Sequence, residues 1–368
     1  MKSSSNLVFI GGGHSHALVL EKLSKKPLKN IQITVISDVI KTPYSGMLPG
    51  HIAGYYTYDE THIDLQKLAD RARAKLIVDR AIDLDLKQNK IICKNIDPVN
   101  FDYLSIDIGS TPATISVPGA KEYTTLIKPV PNFLKEWEKL LAKSPDPLTI
   151  GIVGGGAGGV ELALNAQHRL QQKIDNLKIH IFDRKRRVLA DRDPAVSQIL
   201  EEILIKRGIQ LHFLENVIQV TPDKVICQSG LNIQCDRIFW VTQASAPKWI
   251  ARSGLITDSR GFILVKDTLQ SISHPHVFAA GDIATIQNYF CPKAGVFAVR
   301  QGKPLYENLV RILAKKDLKS YLPQQKYLSL IGTGKKSAIA SRGSFAWESP
   351  LLWLWKDYLD RSFMDRFN

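Results

Sequence analysis

Cysteine is scarce in this chain. Its 368 residues hold four, at positions 93, 227, 235 and 291, and no two stand at CxxC or CxxxxC spacing. That dispersal excludes a disulfide framework and a thiolate zinc site. No run of about 18 apolar residues exists, so no segment reads as a membrane span. The stretch Met1–Asn6 is too short for a secretory leader ahead of the first apolar run, and a reducing, cytoplasmic setting is the expectation. Acid is in deficit: 35 Asp and Glu stand against 49 Lys and Arg, a formal net charge of +14. Such a field draws nucleotides, anionic lipid heads or nucleic acid. No nucleic-acid-binding module accompanies it, so no nucleic-acid partner is expected. His14 and His16 have no acidic or thiol ligand close in sequence, and no metal site is expected there.

What the chain does have is a phosphate-binding turn, twice. Leu7–Ile10 is a short apolar run leading into Gly11-Gly12-Gly13-His14-Ser15-His16, and Ala17–Leu23 reads as helix. Strand, Gly-rich turn and helix in that order open a Rossmann-type unit. Gly11 permits the tight turn, Gly13 lets a pyrophosphate approach the backbone, and the helix-start N–H groups hold the phosphates. His16 stands where a third glycine is usual. Its side chain is expected to push the helix off the strand or to turn into a local pocket. The second copy is complete: Leu148–Val153 is a strand, Gly154, Gly156 and Gly159 supply the turn, and Val160–Leu170 continue as helix. The next strand, Leu177–Phe182, ends on Asp183, where an acid accepts ribose hydroxyls. Asp38 follows the corresponding strand of the first unit, Ile31–Ile36, with Ser37 competing for the strand-end position.

The intervening segments repeat one plan. After each unit come a helix, a small antiparallel sheet and a return strand, near Phe101–Ile108 and Arg237–Val241. His62-Ile63-Asp64-Leu65 introduces a helix through Ala74, and Val296–Leu313 reads as a long helix. Tyr327–Ile331 and Ser337–Ser341 flank Gly332–Lys336 as a hairpin, and Leu351–Phe367 forms an amphipathic tail helix. Leu351, Leu352, Trp355, Tyr358, Leu359, Ser362, Phe363 and Phe367 recur at helical spacing, with Lys356, Asp357, Asp360, Arg361 and Asp365 largely on the other side. This helix is expected to pack on the body, to make a homodimer contact, or to lie on a membrane as a peripheral anchor.

Four stretches together carry a family likeness: Gly11–His16, Gly154–Glu161, the return strand ending Thr242-Gln243-Ala244, and Val277–Ala284 with its Gly281-Asp282 pair. The chain resembles the pyridine nucleotide–disulfide oxidoreductase superfamily over nearly its whole length, and within it the type II NADH dehydrogenase-like branch. Residues 43–50 and 293–302 are similar to the selenophosphate-synthetase-associated forms and to plastid-type quinone reductases. The resemblance implies an α/β fold of two Rossmann-like domains. Residues 1–117 and 261–315 form an FAD-binding domain in two segments, 118–260 an NAD(P)H-binding domain, and 316–368 a C-terminal interface or membrane-associating region. It implies FAD at Gly11, Gly13, His14, Ser15, Asp38, Pro43, Gly109, Gly281, Asp282 and Lys293, and NADH or NADPH at Gly154, Gly156, Gly159, Glu161 and Asp183.

The chemistry implied is hydride transfer from the nicotinamide to the flavin, which needs no protein acid or nucleophile. Lys293, at the start of the long helix, is a candidate for the flavin edge, and Gln301 for the acceptor-side wall. Because no cysteine pair exists, disulfide-reductase and sulfide:quinone chemistry are disfavoured, and a quinone is the expected acceptor. Asp183 favours NADH, whereas Arg184-Lys185-Arg186-Arg187 could pair with the extra phosphate of NADPH. Two other readings stand beside this one. One is a flavin oxidoreductase of selenium or sulfur metabolism, and the other is a non-enzymatic nucleotide-responsive binding protein.

Overall fold

Two five-stranded parallel sheets, built on one plan, organise the computed structural model, which describes residues 5–112, 116–242, 244–325, 327–343 and 345–368. The first sheet is centred on Ser5–Ile10. Ile31–Ser37 and then Lys75–Val78 lie to one side; Tyr103–Ile106 and then Val277–Ala279 lie to the other. The second is centred on Leu148–Val153, with Leu177–Asp183 and Gln210–Phe213 on one side and Arg237–Trp240 and Thr125–Leu126 on the other. Central strands of both are buried along nearly their whole length, as a sheet covered on both faces requires. Each half also carries a small three-stranded antiparallel sheet, spanning residues 81–100 in the first and 217–234 in the second. The α/β fold with two Rossmann-like domains is thus present, and the repeat read from the sequence is a repeat of topology.

The fingerprint helices run over His14–Lys25 and Ala157–Leu170, and the long helix over Gly295–Leu313 lies against the first of them. Three strands rather than two make up the C-terminal sheet: Ser329–Gly334, Ser337–Arg342 and Phe345–Ser349. Its first turn is only Lys335-Lys336, both at positive φ (52° and 53°), which is the geometry of a two-residue hairpin loop. His62–Asp64 pairs as a strand with Lys41–Pro43, so the helix expected from His62 is confined to Leu65–Arg71. Asp64 caps it by accepting from Lys67 N at 2.9 Å. The match to the return strand at Gln243 lies outside the described residues.

The tail helix, Pro350–Met364, packs on the body with its apolar row split between the two sides. Lys356 and Asp360 face the body and are buried, together with Leu352, Phe363, Met364 and, just beyond, Phe367. Leu351, Leu354, Trp355, Tyr358 and Leu359 are exposed, and Trp347 on the adjoining strand is exposed as well. The polar side docks because partners await it: Lys356 Nζ donates to Gly46 O at 2.6 Å and pairs with Asp360, Tyr44 OH donates to Asp360, Tyr56 OH donates to Asp357 at 2.6 Å, and Arg361 meets Glu60 at 2.9 Å. Among the described residues no helix is long and apolar enough to cross a membrane.

Candidate functional site

Both fingerprint turns have the geometry of dinucleotide cradles, but their helix starts differ. Gly11 sits at φ +90° and donates to Ile36 O at 2.8 Å; a Cβ there would overlap the Asp107 carbonyl. In the second turn a Cβ on Gly159 would overlap the Gly154 carbonyl, so strand and helix come this close only with glycine between them. Gly156 caps the second helix without a side-chain partner and faces open space. That helix has no acid in its first turn, and among the described residues no carboxyl accepts from its first amides as Asp107 does from those of the first helix, which suits them to an anion.

The first helix start is not bare. Asp107, at the end of Tyr103–Ile106, accepts from Ser15 N at 2.9 Å and His16 N at 3.2 Å through Oδ2. The expectation that these amides wait free for phosphates is therefore corrected: a carboxyl group from a neighbouring strand already holds two of them. Sequence reading passed over Asp107; the available signal was an acid at a return-strand end, two residues before Gly109.

His16 turns into a local pocket rather than displacing the helix. It is fully buried, with Nδ1 2.7 Å from Gly11 O and Nε2 2.8 Å from Ser105 Oγ, and it meets Phe9 edge-on. Burial lowers its pKa to about 4, so the ring is neutral. Two hydrogen bonds replace the close packing that a third glycine gives elsewhere.

The Gly281-Asp282 turn faces the same cradle. Asp282 Oδ2 accepts from Ser110 Oγ and Lys128 Nζ, each at 3.1 Å. Gly109 beside it leaves open space where a Cβ would stand. Gly281 N donates to Gln301 Oε1 at 2.6 Å, and Gln301 is buried. The acceptor-wall reading of Gln301 is therefore corrected: its amide positions the Gly281 turn from within the core. Lys293 also differs from expectation. Its ammonium turns back onto Ala284 O and Thr285 Oγ1 and lies 4.2 Å from the Phe262 ring centroid. Burial lowers its pKa to about 8.

Asp38 is exposed and ion-paired with Arg80 at 2.8 Å, while Ser37 bonds the following turn. Asp183 accepts from Gly155 N at 2.6 Å and Lys185 N at 2.8 Å, closing the second turn onto its strand. In the basic run Lys185 pairs with Asp191, and Arg184, Arg186 and Arg187 are exposed.

Between the cradles runs a chain of aromatic and polar contacts. Pro43 ends a short strand that delivers Tyr44 and Ser45 over His14: Ser45 N donates to His14 Nε2 at 3.4 Å, and the His14 and Tyr44 rings meet edge-on at 5.3 Å. Tyr44 stacks on Phe363 at 4.4 Å. Next comes the Lys356–Asp360 pair, and within its electrostatic reach Glu161, whose Oε1 accepts from Gly332 N at 2.9 Å. Burial raises the Glu161 pKa to about 7, against the pull of Lys356 and the Gly332 amide. A carboxyl poised there can hold or release a proton near neutrality. Glu161, from the second cradle, and His14, from the first, thus both lie against the tail helix, His14 through Phe363 and Glu161 in the field of Lys356.

The four cysteines are free thiols, and Cys291, half-buried, accepts from Gln301 Nε2 at 4.0 Å. Cys93, Cys227 and Cys235 are buried, and burial raises the thiol pKa of Cys227 and Cys235 to about 12 and of Cys291 to about 11. Among the described residues no group of three or more His, Cys, Asp or Glu side chains could hold a metal.

Comparison with known proteins points the same way. Residues 5–302 match the family described as pyridine nucleotide-disulphide oxidoreductase. The chain is 25% identical over 370 residues to NADH dehydrogenase-like protein YutJ of Bacillus subtilis, covering 96% of this chain and 99% of that one. It is 24% identical over 289 residues to the type II NADH:quinone oxidoreductase of Haemophilus influenzae, covering 69% of this chain and 65% of that protein. The sulfide:quinone oxidoreductase of Aquifex aeolicus superposes with a TM-score of 0.82 at 18% identity, over 99% of this chain and 91% of that one, a likeness of fold.

Proposed function

The chain belongs to the pyridine nucleotide-disulphide oxidoreductase family, and from that premise we propose that it is an FAD-dependent dehydrogenase that takes hydride from NADH and delivers the electrons to a quinone. When bound, FAD supplies the redox chemistry, accepting a hydride and passing electrons on. The chain's own residues bind and orient. Gly154, Gly156 and Gly159 with the bare helix start receive the nicotinamide dinucleotide. Gly11, Gly13, His14, Ser15, Asp38, Pro43, Gly109, Gly281 and Asp282 line the FAD site, and Gln301 positions the Gly281 turn. Glu161 holds a proton beside Lys356. The observation that carries this reading is the pair of fingerprint turns, each ending a central parallel strand and opening a helix, with His14 of the first and Glu161 of the second both reached by the loop and tail helix around Lys356. The printed names of the relatives support a quinone-type acceptor.

The test is anaerobic titration of the yellow protein with NADH, then mixing with a short-chain quinone. Bleaching followed by rapid recolouring is expected. Flavin that NADH leaves oxidised would remove the dehydrogenase reading; flavin that bleaches but recolours only with selenium or sulfur compounds would favour the branch near the selenophosphate-synthetase-associated forms.

Nucleotide choice rests on Asp183. Two backbone amides hold its carboxylate at the strand end, where its free lone pairs can accept ribose hydroxyls and its charge repels a 2′-phosphate. Asp183→Ser is expected to lower the NADH over NADPH ratio of kcat/KM by about tenfold or more, a charge-assisted hydrogen bond being worth ~1.5–3 kcal/mol. An NADPH preference in the unaltered protein would hand the choice to Arg184, Arg186 and Arg187.

The tail helix supports attachment to a membrane on the cytoplasmic side. Its outward row of Leu351, Leu354, Trp355, Tyr358 and Leu359, with Trp347, is the kind of surface that enters a lipid interface, and a net charge of +14 favours anionic lipid. Replacing Leu351, Leu354 and Tyr358 with Glu is expected to abolish co-sedimentation with anionic liposomes while NADH still bleaches the flavin at its usual rate. If liposome binding persists, the helix is no anchor; if the unaltered protein is a homodimer that the change splits into monomers, that face is a subunit contact.

A further inference from the structure

The FAD reading leaves Asp107 without a task, and the inference drawn here rests on that reading. The carboxyl is wedged between the two turns assigned to the cofactor. It is 2% exposed. Oδ2 lies 2.9 Å from Ser15 N and 3.2 Å from His16 N. A Cβ on Gly13 or on Gly281 would overlap it, so the glycines of both turns make room for this group as well as for a ligand. The helix it caps has Gly13 as its N-cap, with no side-chain cap of its own and no acid in its first turn. Asp107 thus lies where the helix start offers its charge to an anion.

We propose that Asp107 is a proton-linked gate on the pyrophosphate site: FAD and a proton bind together, the proton going to the Asp107 carboxyl. Two ionised phosphates arriving at this helix start meet a carboxylate already there. Like charges in a dry site cannot all persist, and the carboxyl group is the one able to take up a proton. Once neutral it yields an amide to a phosphate oxygen, or donates its own O–H.

The surroundings favour that outcome. Burial raises the Asp107 pKa to about 7, the Asp282 charge adds to the rise, and the Ser15 and His16 amides oppose it. Asp282 is itself held by Lys128 and Ser110. His16 is neutral and bonded to Gly11 O and Ser105. His14, on the same helix, is also disfavoured as a cation by burial, although Asp282 draws it the other way. Gln301 carries no charge. The Lys128 ammonium in this neighbourhood is engaged by Asp282 and Ser110.

The sign follows from linkage. A group protonated in the complex but ionised in the free protein makes the dissociation constant rise by up to tenfold per pH unit, between its pKa in the free protein and its higher pKa in the complex. The experiment dilutes the flavin-loaded protein into buffers from pH 6 to pH 9 at fixed ionic strength and reads released FAD by fluorescence. The expected result is a dissociation constant that climbs above pH 7 at close to tenfold per unit, and an Asp107→Asn protein whose constant is flat and at least about tenfold lower than that of the unaltered protein at pH 9. Asp282→Asn is expected to weaken retention at every pH and to keep the slope. A flat profile in the unaltered protein, or the same slope in Asp107→Asn, overturns the proposal. Should Asp107→Asn fail to fold, an indicator dye in weak buffer above pH 7 decides on the unaltered protein, with close to one proton released for each FAD that dissociates expected and none overturning it. A protein that carries no FAD at any pH would instead overturn the flavin assignment.

Discussion

A chain ended after Ser349 is expected to come out without its flavin and far less stable than the whole. Removing 350–368 strips Leu352, Phe363, Met364 and Phe367 from buried positions. At ~1.5–3 kcal/mol for each such side chain, the loss rivals a whole domain's net stability of about 5–15 kcal/mol. It also releases the loop over His14: Gly46 O loses the Lys356 ammonium, Tyr56 OH loses Asp357, and Tyr44 loses both Asp360 and the Phe363 ring. The FAD-to-protein ratio after desalting and the Tm of the shortened chain check this. Full flavin content with an unchanged Tm would mean that the tail is an appendage. Lipid binding must therefore be probed with surface substitutions, because truncation removes part of the core along with the outer face.

The second large effect is expected at Gly159. Its missing Cβ is what lets the second fingerprint helix approach Gly154, whose carbonyl a methyl group would overlap. Gly159→Ala has to shift the helix start by a good part of an ångström, and displacements of that size at a reacting geometry cost on the order of a hundredfold. Stopped-flow bleaching by NADH should slow by about that factor, while dithionite bleaches the flavin as before and FAD stays bound. If NADH bleaching is unimpaired, the second turn is not where the dinucleotide sits.

The sequence made the two sheets readable because a buried parallel strand followed by Gly-rich turn and helix leaves marks within one short window, as at Leu7–Gly13 and Leu148–Gly159. What depends on distant partners was harder to see. His62–Asp64 continues a helical pattern, yet the facing edge of Lys41–Pro43 makes it a strand. Phe345–Ser349, a mixed run of polar and aromatic residues before a proline, becomes a strand only beside Ser337–Arg342. In the tail, periodicity gave two faces but not which one turns inward; that was decided by a carbonyl at Gly46 and hydroxyls at Tyr44 and Tyr56, some 300 residues earlier in the chain. At the site, the glycines were legible because turn geometry requires them. Asp107 was not, since only the fold brings a carboxyl from a return strand onto the amides of Ser15 and His16. Gln301 and Lys293 were assigned outward roles on position alone, and the folded chain turns both toward Gly281–Thr285.

The outward row on the tail helix also governs how the protein behaves in a tube. Leucines, a tryptophan and a tyrosine bare to buffer on one helix are a sticky stripe. Concentrated preparations should self-associate through it, and a mild non-ionic detergent should disperse them without bleaching or shedding flavin. A sedimentation profile taken without detergent would then report a makeshift cover for that stripe.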